Sequence, residues 1–99
     1  MRVNIQAHRF TADSKLIEYI EKKVSKISVF NDKIINVGVF LILDNVAHNI
    51  KDKVAEIQVR IPGHDFFVKH SSKSFEESFD AALDSLMMQM KRKKEKMTA

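Results

Sequence analysis

The sequence of 99 residues predicts an α+β fold in which a four-stranded mixed sheet is covered on one face by two helices. Apolar and polar residues alternate in the segments 2–8 and 55–61, as they do in strands with one side exposed to water. In the segments 16–27 and 75–90, apolar residues recur every three or four positions, which is typical of amphipathic helices. The predicted order of elements is β-α-β-β-β-α.

The spacing of apolar residues defines the first strand and the first helix. Alternate residues from Val3 onward share one side of the segment 2–8, which predicts the buried face of the first strand. Asp13 is suited to cap a helix that extends to about Ser28, because its carboxylate can accept from free backbone N–H groups. The buried stripe of this helix is predicted to be Leu16, Ile20, Val24 and Ile27.

The second strand is predicted to be the most deeply buried one. Residues 34–43, IINVGVFLIL, are rich in β-branched and apolar residues and have no helical stripe. A helix separates this strand from the first, so we expect the two to be parallel. After a polar connection at 44–52, the segment 55–61 forms the third strand. The buried side of the second strand should consist of Ile35, Val37, Val39, Leu41 and Leu43.

A tight turn and a capped helix complete the predicted fold. Pro62-Gly63 fits the central pair of a type II turn, because proline fixes φ and glycine accepts a positive φ. The segment 66–70, FFVKH, then forms a fourth strand that is antiparallel to the third. Ser74 and Glu77 have the spacing of a capping box at the start of the second helix. The buried stripe of that helix is predicted to be Phe75, Phe79, Leu83, Leu86 and Met90.

Length and composition favour a single domain spanning residues 1–99, with a basic helical tail at about 91–99. The chain contains no cysteine, which excludes disulfides and thiolate metal sites. Its N-terminus alternates in polarity and no segment is apolar enough to cross a membrane, so we expect a cytoplasmic protein without a membrane partner.

The positive charge is concentrated near the C-terminus. Residues 91–96 hold five basic groups and one acidic group, while the rest of the chain, with 12 of each, is balanced. Such a cluster indicates an anionic partner, and nucleic acid fits better than a membrane because no large apolar face accompanies the charge. In the second helix the basic residues point around the cylinder, and a solubilising, frayed end is the alternative interpretation.

Three lysines also form an outward ridge on the first helix. At about 100° per residue, Lys15, Lys22 and Lys26 fall within roughly 40° of one another and lie opposite the apolar stripe. Lys23 lies about a quarter-turn away. An ordinary solvated helix face remains the alternative. If both helices lie side by side, their basic residues would follow an RNA backbone. The sheet offers only Phe40, Phe66 and Phe67 as individually exposed aromatics, so we expect recognition of backbone and shape and not stacking on bases.

Few residues are candidates for catalysis or for binding a metal or cofactor. The four histidines lack the spacing of metal ligands, and with two glycines a phosphate-binding loop is excluded, so we expect no metal, cofactor or small-molecule substrate. Asp80 and Asp84 lie one helical turn apart and would be the carboxylates of a hydrolase, but carboxylates that balance Lys91 and other cations explain them as well. The protein is therefore predicted not to be an enzyme.

Four segments, in order, resemble the ribosome hibernation promoting factor and protein Y family. They read DSKLIEYIEKKVSKI, NVGVFLIL, VAEIQVRIPG and FDAALDSLMMQMKRKKEK. The resemblance spans nearly the whole chain, and it implies the same β-α-β-β-β-α fold, which is like that of double-stranded-RNA-binding domains. The chain stops soon after the second helix, which is similar to the short form of the family.

The resemblance implies a ribosome hibernation factor, isolated as a monomer, that binds small-subunit ribosomal RNA in the channel for messenger and transfer RNA and inhibits translation. Short members can also promote ribosome pairing with a helper protein. Met88 departs from the family pattern, because many relatives have arginine there. A general double-stranded RNA-binding module is the alternative function. Together, the helix geometry and the resemblance give as rRNA-binding candidates Lys15, Lys22, Lys23, Lys26, Lys91, Arg92, Lys94 and Lys96.

Overall fold

The computed structural model describes residues 1–44 and 52–98, with side chains given up to residue 94. Its elements confirm the predicted order, with one short additional helix after the first. They are β1 (Arg2–His8), α1 (Ser14–Val24), α2 (Ile27–Phe30), β2 (Asn36–Leu43), β3 (Lys53–Ile61), β4 (His64–Ser72) and α3 (Phe75–Thr98). The predicted polar connection lies largely outside the described residues.

The four strands form one sheet in the order β1-β2-β3-β4. The β1/β2 pair is parallel and the other two pairs are antiparallel, as the connections predict. The register aligns Ile5, Val39, Ile57 and Val68 across all four strands. Since side chains alternate along a strand, this row and its neighbours place the apolar residues on a single face of the sheet.

Both long helices cover that face with their apolar stripes. Leu16, Ile20 and Val24 of α1 are buried in the same cluster as the inward residues of β2 and β3. The buried stripe of α3 includes Ala82, whereas Leu83 is only half-buried. Successive residues differ by about 100° around a helix, so Leu83 falls at the border of the stripe that Ala82 completes.

Local signals place the ends of the elements correctly. The Asp13 carboxylate accepts from the backbone N–H of Leu16 at 2.8 Å, and the Ser74 hydroxyl accepts from that of Glu77 at 3.1 Å. Gly63 has a φ of +78°, the conformation that the predicted turn after Pro62 requires. This turn allows β3 and β4 to pair up to Ile61 and His64, which makes β4 longer than predicted.

The prediction of one helix up to Ser28 was wrong, because the helix is interrupted at Ser25 and Lys26. The Ser25 hydroxyl donates to the carbonyl oxygen of Lys22, and the Ser28 hydroxyl donates to that of Ser25. Such bonds compete with the helical hydrogen-bond ladder. Both interrupting residues keep right-handed helical backbone angles, so α2 continues the path of α1.

The prediction that Ile35 belongs to the buried side of the second strand was also wrong, since its side chain is 50% exposed. It precedes the first residue of β2, and the adjacent Ile34 enters the core instead.

Truncation in the stripe of α3 should destabilise the protein strongly. Leu86 is fully buried, so Leu86→Ala should lower the free energy of unfolding by about 2–5 kcal/mol through lost burial and a residual cavity. Met88→Ala on the same helix is the matched control, because this side chain is exposed and should cost less than about 0.5 kcal/mol. Urea unfolding measures both values, and equal losses would contradict the assignment of the stripe.

Candidate nucleic-acid interface

The helices run side by side in the same direction across the sheet. Near their starts, the Phe10 ring stacks on that of Phe75 with centroids 4.3 Å apart. Near their ends, the Lys94 ammonium lies 5.8 Å from the centroid of the Phe30 ring, at the end of α2. The C-terminal parts of α1–α2 and α3 therefore lie at the same end of the molecule, which we call the distal end.

On the first helix the predicted lysine ridge is exposed. The side chains of Lys15, Lys22 and Lys26 are all exposed to solvent. Lys15 is in the first turn of α1, roughly 10 Å from Lys22 along the axis at 1.5 Å per residue. Lys26 lies toward the distal end, whereas Lys15 lies at the opposite end of the helix.

On α3 the basic residues occupy the distal end. Lys91, Arg92 and Lys94 are exposed, and Lys93 is half-buried. The helix continues to Thr98, but the side chain of Lys96 lies outside the described part of the chain. The structure thus places exposed cations from two separate segments in one helix layer. Lys26 and the α3 cations lie toward the distal end, whereas Lys22 lies roughly 16 Å before Lys91 along the axis, since its neighbour Lys23 contacts Asp80. We call Lys22, Lys26, Lys91, Arg92 and Lys94 the distal basic surface.

Acidic residues occupy the opposite end of α3. Glu76 and Glu77 lie in its first turn, and Asp84 is exposed in its middle. A phosphate approaching this half would meet like charge, whereas the distal basic surface attracts it. The predicted pair of basic rows is therefore positive mainly at its distal end and does not extend along the full length of both helices.

Lys23 differs from the other predicted site residues because it points to α3. Its ammonium is 2.7 Å from Oδ1 of Asp80 and 4.7 Å from the centroid of the Tyr19 ring. The Tyr19 hydroxyl donates to the same carboxylate, at 2.9 Å from Oδ1 and 2.7 Å from Oδ2. These three residues form the Tyr19–Lys23–Asp80 cluster, which links α1 to α3.

The cluster shifts the protonation equilibria of its charged members. Hydrogen bonds with Asp80 and Tyr19 raise the pKa of Lys23 well above its ordinary value. Burial raises the pKa of the Asp80 carboxyl, but the hydrogen bonds from Lys23 and Tyr19 outweigh it, so that the pKa lies below its ordinary value. Both groups are therefore charged at neutral pH.

Sequence reasoning missed this cluster. Asp80 was expected to balance Lys91 on its own helix, but its partner is Lys23, which lies 57 positions away in the chain. A partial signal was present, because Tyr19 and Lys23 are one turn apart and lie on the same side of α1. Which residue of α3 they meet depends on how the two helices are packed.

The arrangement does not resemble a catalytic or metal site. Asp80 is held in an ion pair, and Asp84 is an exposed carboxylate one turn away. Among residues 1–44 and 52–94, no group of three or more His, Asp or Glu side chains is placed to hold a metal ion. His48 lies outside the described residues.

The open face of the sheet presents few aromatic rings for base stacking. Phe67 is 50% exposed, Phe66 is buried, and the half-buried Phe40 stacks against His8 with ring centroids 6.4 Å apart. The suggestion that Phe66 is exposed was wrong, because its position in the alternating pattern of β4 directs it into the core. Within the described residues, no helix is long and apolar enough to span a membrane.

Comparison with known proteins relates this chain to proteins that are named for their association with ribosomes. The family model described as Sigma 54 modulation protein / S30EA ribosomal protein matches residues 3–98. A ribosome hibernation promoting factor of Pseudomonas putida is 27% identical over 96 residues, which cover 97% of this chain and 89% of that protein.

Two solved structures have the same fold. A ribosomal subunit interface protein from Coxiella burnetii superposes with a TM-score of 0.83 at 21% identity, covering 95% of this chain and 98% of that one. The N-terminal domain of Thermus thermophilus Protein Y gives a TM-score of 0.77 at 26% identity, covering 93% and 98%. The predicted α+β architecture is therefore confirmed.

The ion pair between the helices should make stability depend on pH. Asp80→Asn should lower the free energy of unfolding at pH 7 by about 0.5–1 kcal/mol, because the pair is partly exposed and solvent screens it. The pKa of Asp80 is depressed on folding, so this contribution should be complete above roughly pH 5 and lost as the pH falls below the unfolded value of about 3.9. The raised pKa of Lys23 preserves its contribution up to about pH 10.

Unfolding of both proteins between pH 2 and 8 checks this prediction. Asp84→Asn is the matched control, since this exposed carboxylate lies on the same helix and should change stability by less than about 0.5 kcal/mol. A constant difference between wild type and Asp80→Asn down to pH 2 would contradict the assigned ion pair.

Proposed function

Because the chain belongs to the Sigma 54 modulation protein / S30EA ribosomal protein family, we propose that it is a ribosome hibernation factor that binds the small ribosomal subunit and inhibits translation. The relative from Pseudomonas putida is named a ribosome hibernation promoting factor, and the solved relative from Coxiella burnetii is named a ribosomal subunit interface protein. The proposed partner is ribosomal RNA in the channel for messenger and transfer RNA.

The distal basic surface is the observation that carries this proposal. It combines exposed lysines and an arginine from two segments that the core fixes relative to each other. Closely spaced phosphates of folded RNA fit such a rigid set of cations, and each neutralised phosphate releases condensed counterions. Binding should therefore be strong and sensitive to salt.

The expected mode of recognition is by backbone and shape. Lysine binds phosphate as a flexible point charge, and the open sheet face lacks a pair of adjacent exposed aromatic rings among its described residues. Ribosomal RNA supplies a fixed surface of phosphates that the protein can match without reading bases.

Inhibition follows from occlusion. The body measures 46 × 25 × 18 Å, which is much wider than a single strand of messenger RNA. Once the distal basic surface holds it in the channel, the same space is closed to messenger and transfer RNA. Residues 1–99 act as one domain in this proposal, in the cytoplasm where the ribosomes are, without a cofactor or a small-molecule substrate. The isolated protein is expected to be monomeric.

Charge reversal at the distal basic surface should abolish ribosome binding. The double variant Lys22→Glu with Lys91→Glu changes four charge units at two exposed positions of the distal basic surface, one on each helix. We expect it to be lost from the ribosomal fraction at physiological salt, because like charges then face the phosphates. Co-sedimentation with idle ribosomes measures this, and the same gradients show whether the bound ribosomes are single or paired.

The matched control is Arg9→Glu with Lys73→Glu. Both residues are exposed, and they lie just after β1 and just before α3, near the starts of the helices and away from the distal basic surface. The control has the same net charge as the test variant, so it should co-sediment like wild type. Equal loss in both variants would mean that net charge, and not this surface, determines binding.

A comparison of RNA targets separates hibernation from general RNA binding. We expect the protein to bind small subunits at least tenfold more tightly than a naked RNA duplex of about 16 base pairs, the span of a double-stranded-RNA-binding domain. Filter binding at a fixed salt concentration gives both affinities. Equal affinities would favour the general double-stranded RNA-binding module.

A further inference from the structure

The Tyr19–Lys23–Asp80 cluster has a role that neither the family nor the proposed function assigns. We propose that Lys23 is a positioning residue: together with Tyr19 and Asp80 it fixes α1 against α3, and it does not itself contact RNA. This inference rests on the proposed function, since the helices it positions carry the distal basic surface.

The geometry of the cluster is that of a cross-link between two helices. One carboxylate, on Asp80, receives the Tyr19 hydroxyl at 2.7 and 2.9 Å and the Lys23 ammonium at 2.7 Å. The ammonium also lies over the Tyr19 ring at 4.7 Å, so that all three side chains restrain one another. Hydrogen bonds to a charged acceptor are stronger than neutral ones, so the cross-link resists displacement of either helix.

Electrostatics oppose the use of Lys23 as a phosphate ligand. To reach a phosphate, Lys23 would have to leave a charge-assisted hydrogen bond of 2.7 Å. The Asp80 carboxylate would then remain next to the RNA without its counter-charge, and like charges repel. Lys22 has neither problem, because it is exposed and takes part in no ion pair within the described residues.

The spacing of the helices matters because phosphate positions on folded RNA are fixed. A binding constellation works when its members are held to within about 0.5 Å and 10–20° by surrounding contacts. The sheet determines the layer in which the helices lie, while the cluster connects their solvent-facing sides. Such preorganisation reduces the entropy lost on binding.

The first experiment measures helix spacing without RNA. The chain has no cysteine, so Glu18→Cys on α1 and Asp84→Cys on α3 provide two unique sites for spin labels. We expect a narrow distance distribution in the labelled background and a broader or shifted one after Tyr19→Phe or Asp80→Asn. Identical distributions in all three proteins would overturn the positioning role.

The second experiment measures the salt dependence of small-subunit binding. Lys22→Gln should reduce the slope of log K against log salt by about 0.7–0.9, the value for one phosphate contact. Lys23→Gln removes the same charge and should leave the slope unchanged, with an affinity about two- to tenfold lower, as expected when one hydrogen bond is lost. A reduced slope for Lys23→Gln would show that Lys23 contacts phosphate and would overturn the proposal.

Tyr19→Phe provides a variant without any change in charge. A positioning role predicts that its affinity falls about two- to tenfold, like that of Lys23→Gln. If Asp80 merely withheld Lys23 from RNA, Tyr19→Phe would leave the affinity unchanged or raise it. If the wild-type protein does not bind small subunits at all, the proposed function fails, and the distance distributions still decide whether the cluster positions the helices.

Discussion

The structure depends on the burial of one apolar sheet face beneath two helices. Rows such as Val39, Ile57 and Val68 provide that face, and the stripes of α1 and α3 cover it. Burial at about 25 cal/mol per Å² is the dominant favourable term in a domain of this size. It forces both helices into one layer, with their polar sides directed to solvent. Every property of the distal basic surface follows from this, because residues distant in sequence become neighbours only in that layer.

The distribution of charge along α3 both stabilises this helix and shapes the site. Glu76 and Glu77 lie at its positive N-terminal end, and the basic residues lie toward its negative C-terminal end, which is the favourable arrangement for a helix dipole. The resulting separation of charge along α3 makes its C-terminal part attractive to phosphate and its first turn repulsive. The proposed binding is by rigid fit, which requires neither a pocket nor a reactive group. The polar cluster between the helices complements the apolar core, since it restrains the side of the helices that the sheet does not contact.

Much of this architecture could be predicted from local sequence. Strand alternation, the Asp13 and Ser74 caps and the Pro62-Gly63 turn depend on residues within a few positions of one another, and the structure confirms them. The exception is Val3, which was predicted on the buried face of the first strand but is 38% exposed, because β1 is an edge strand. The end of the first helix and the burial of Ile35 were predicted wrongly, for causes that are also local but are not visible in the apolar pattern. Hydroxyl groups of Ser25 and Ser28 interrupted a helix whose stripe continued, and Ile34 took the place in the core that was assigned to Ile35.

The sequence by itself determined the elements, their order and the number of cations on each helix, because these follow from periodicity and composition. The tertiary structure alone decided which cations share an end and which is neutralised. Lys22 and Lys23 are adjacent and chemically identical, yet one faces solvent and the other binds Asp80. Their difference arises from a rotation of about 100° around α1 relative to a helix that begins 51 positions after α1 ends. Packing of the two helices on the common sheet sets that relation, and no pattern within either helix contains it.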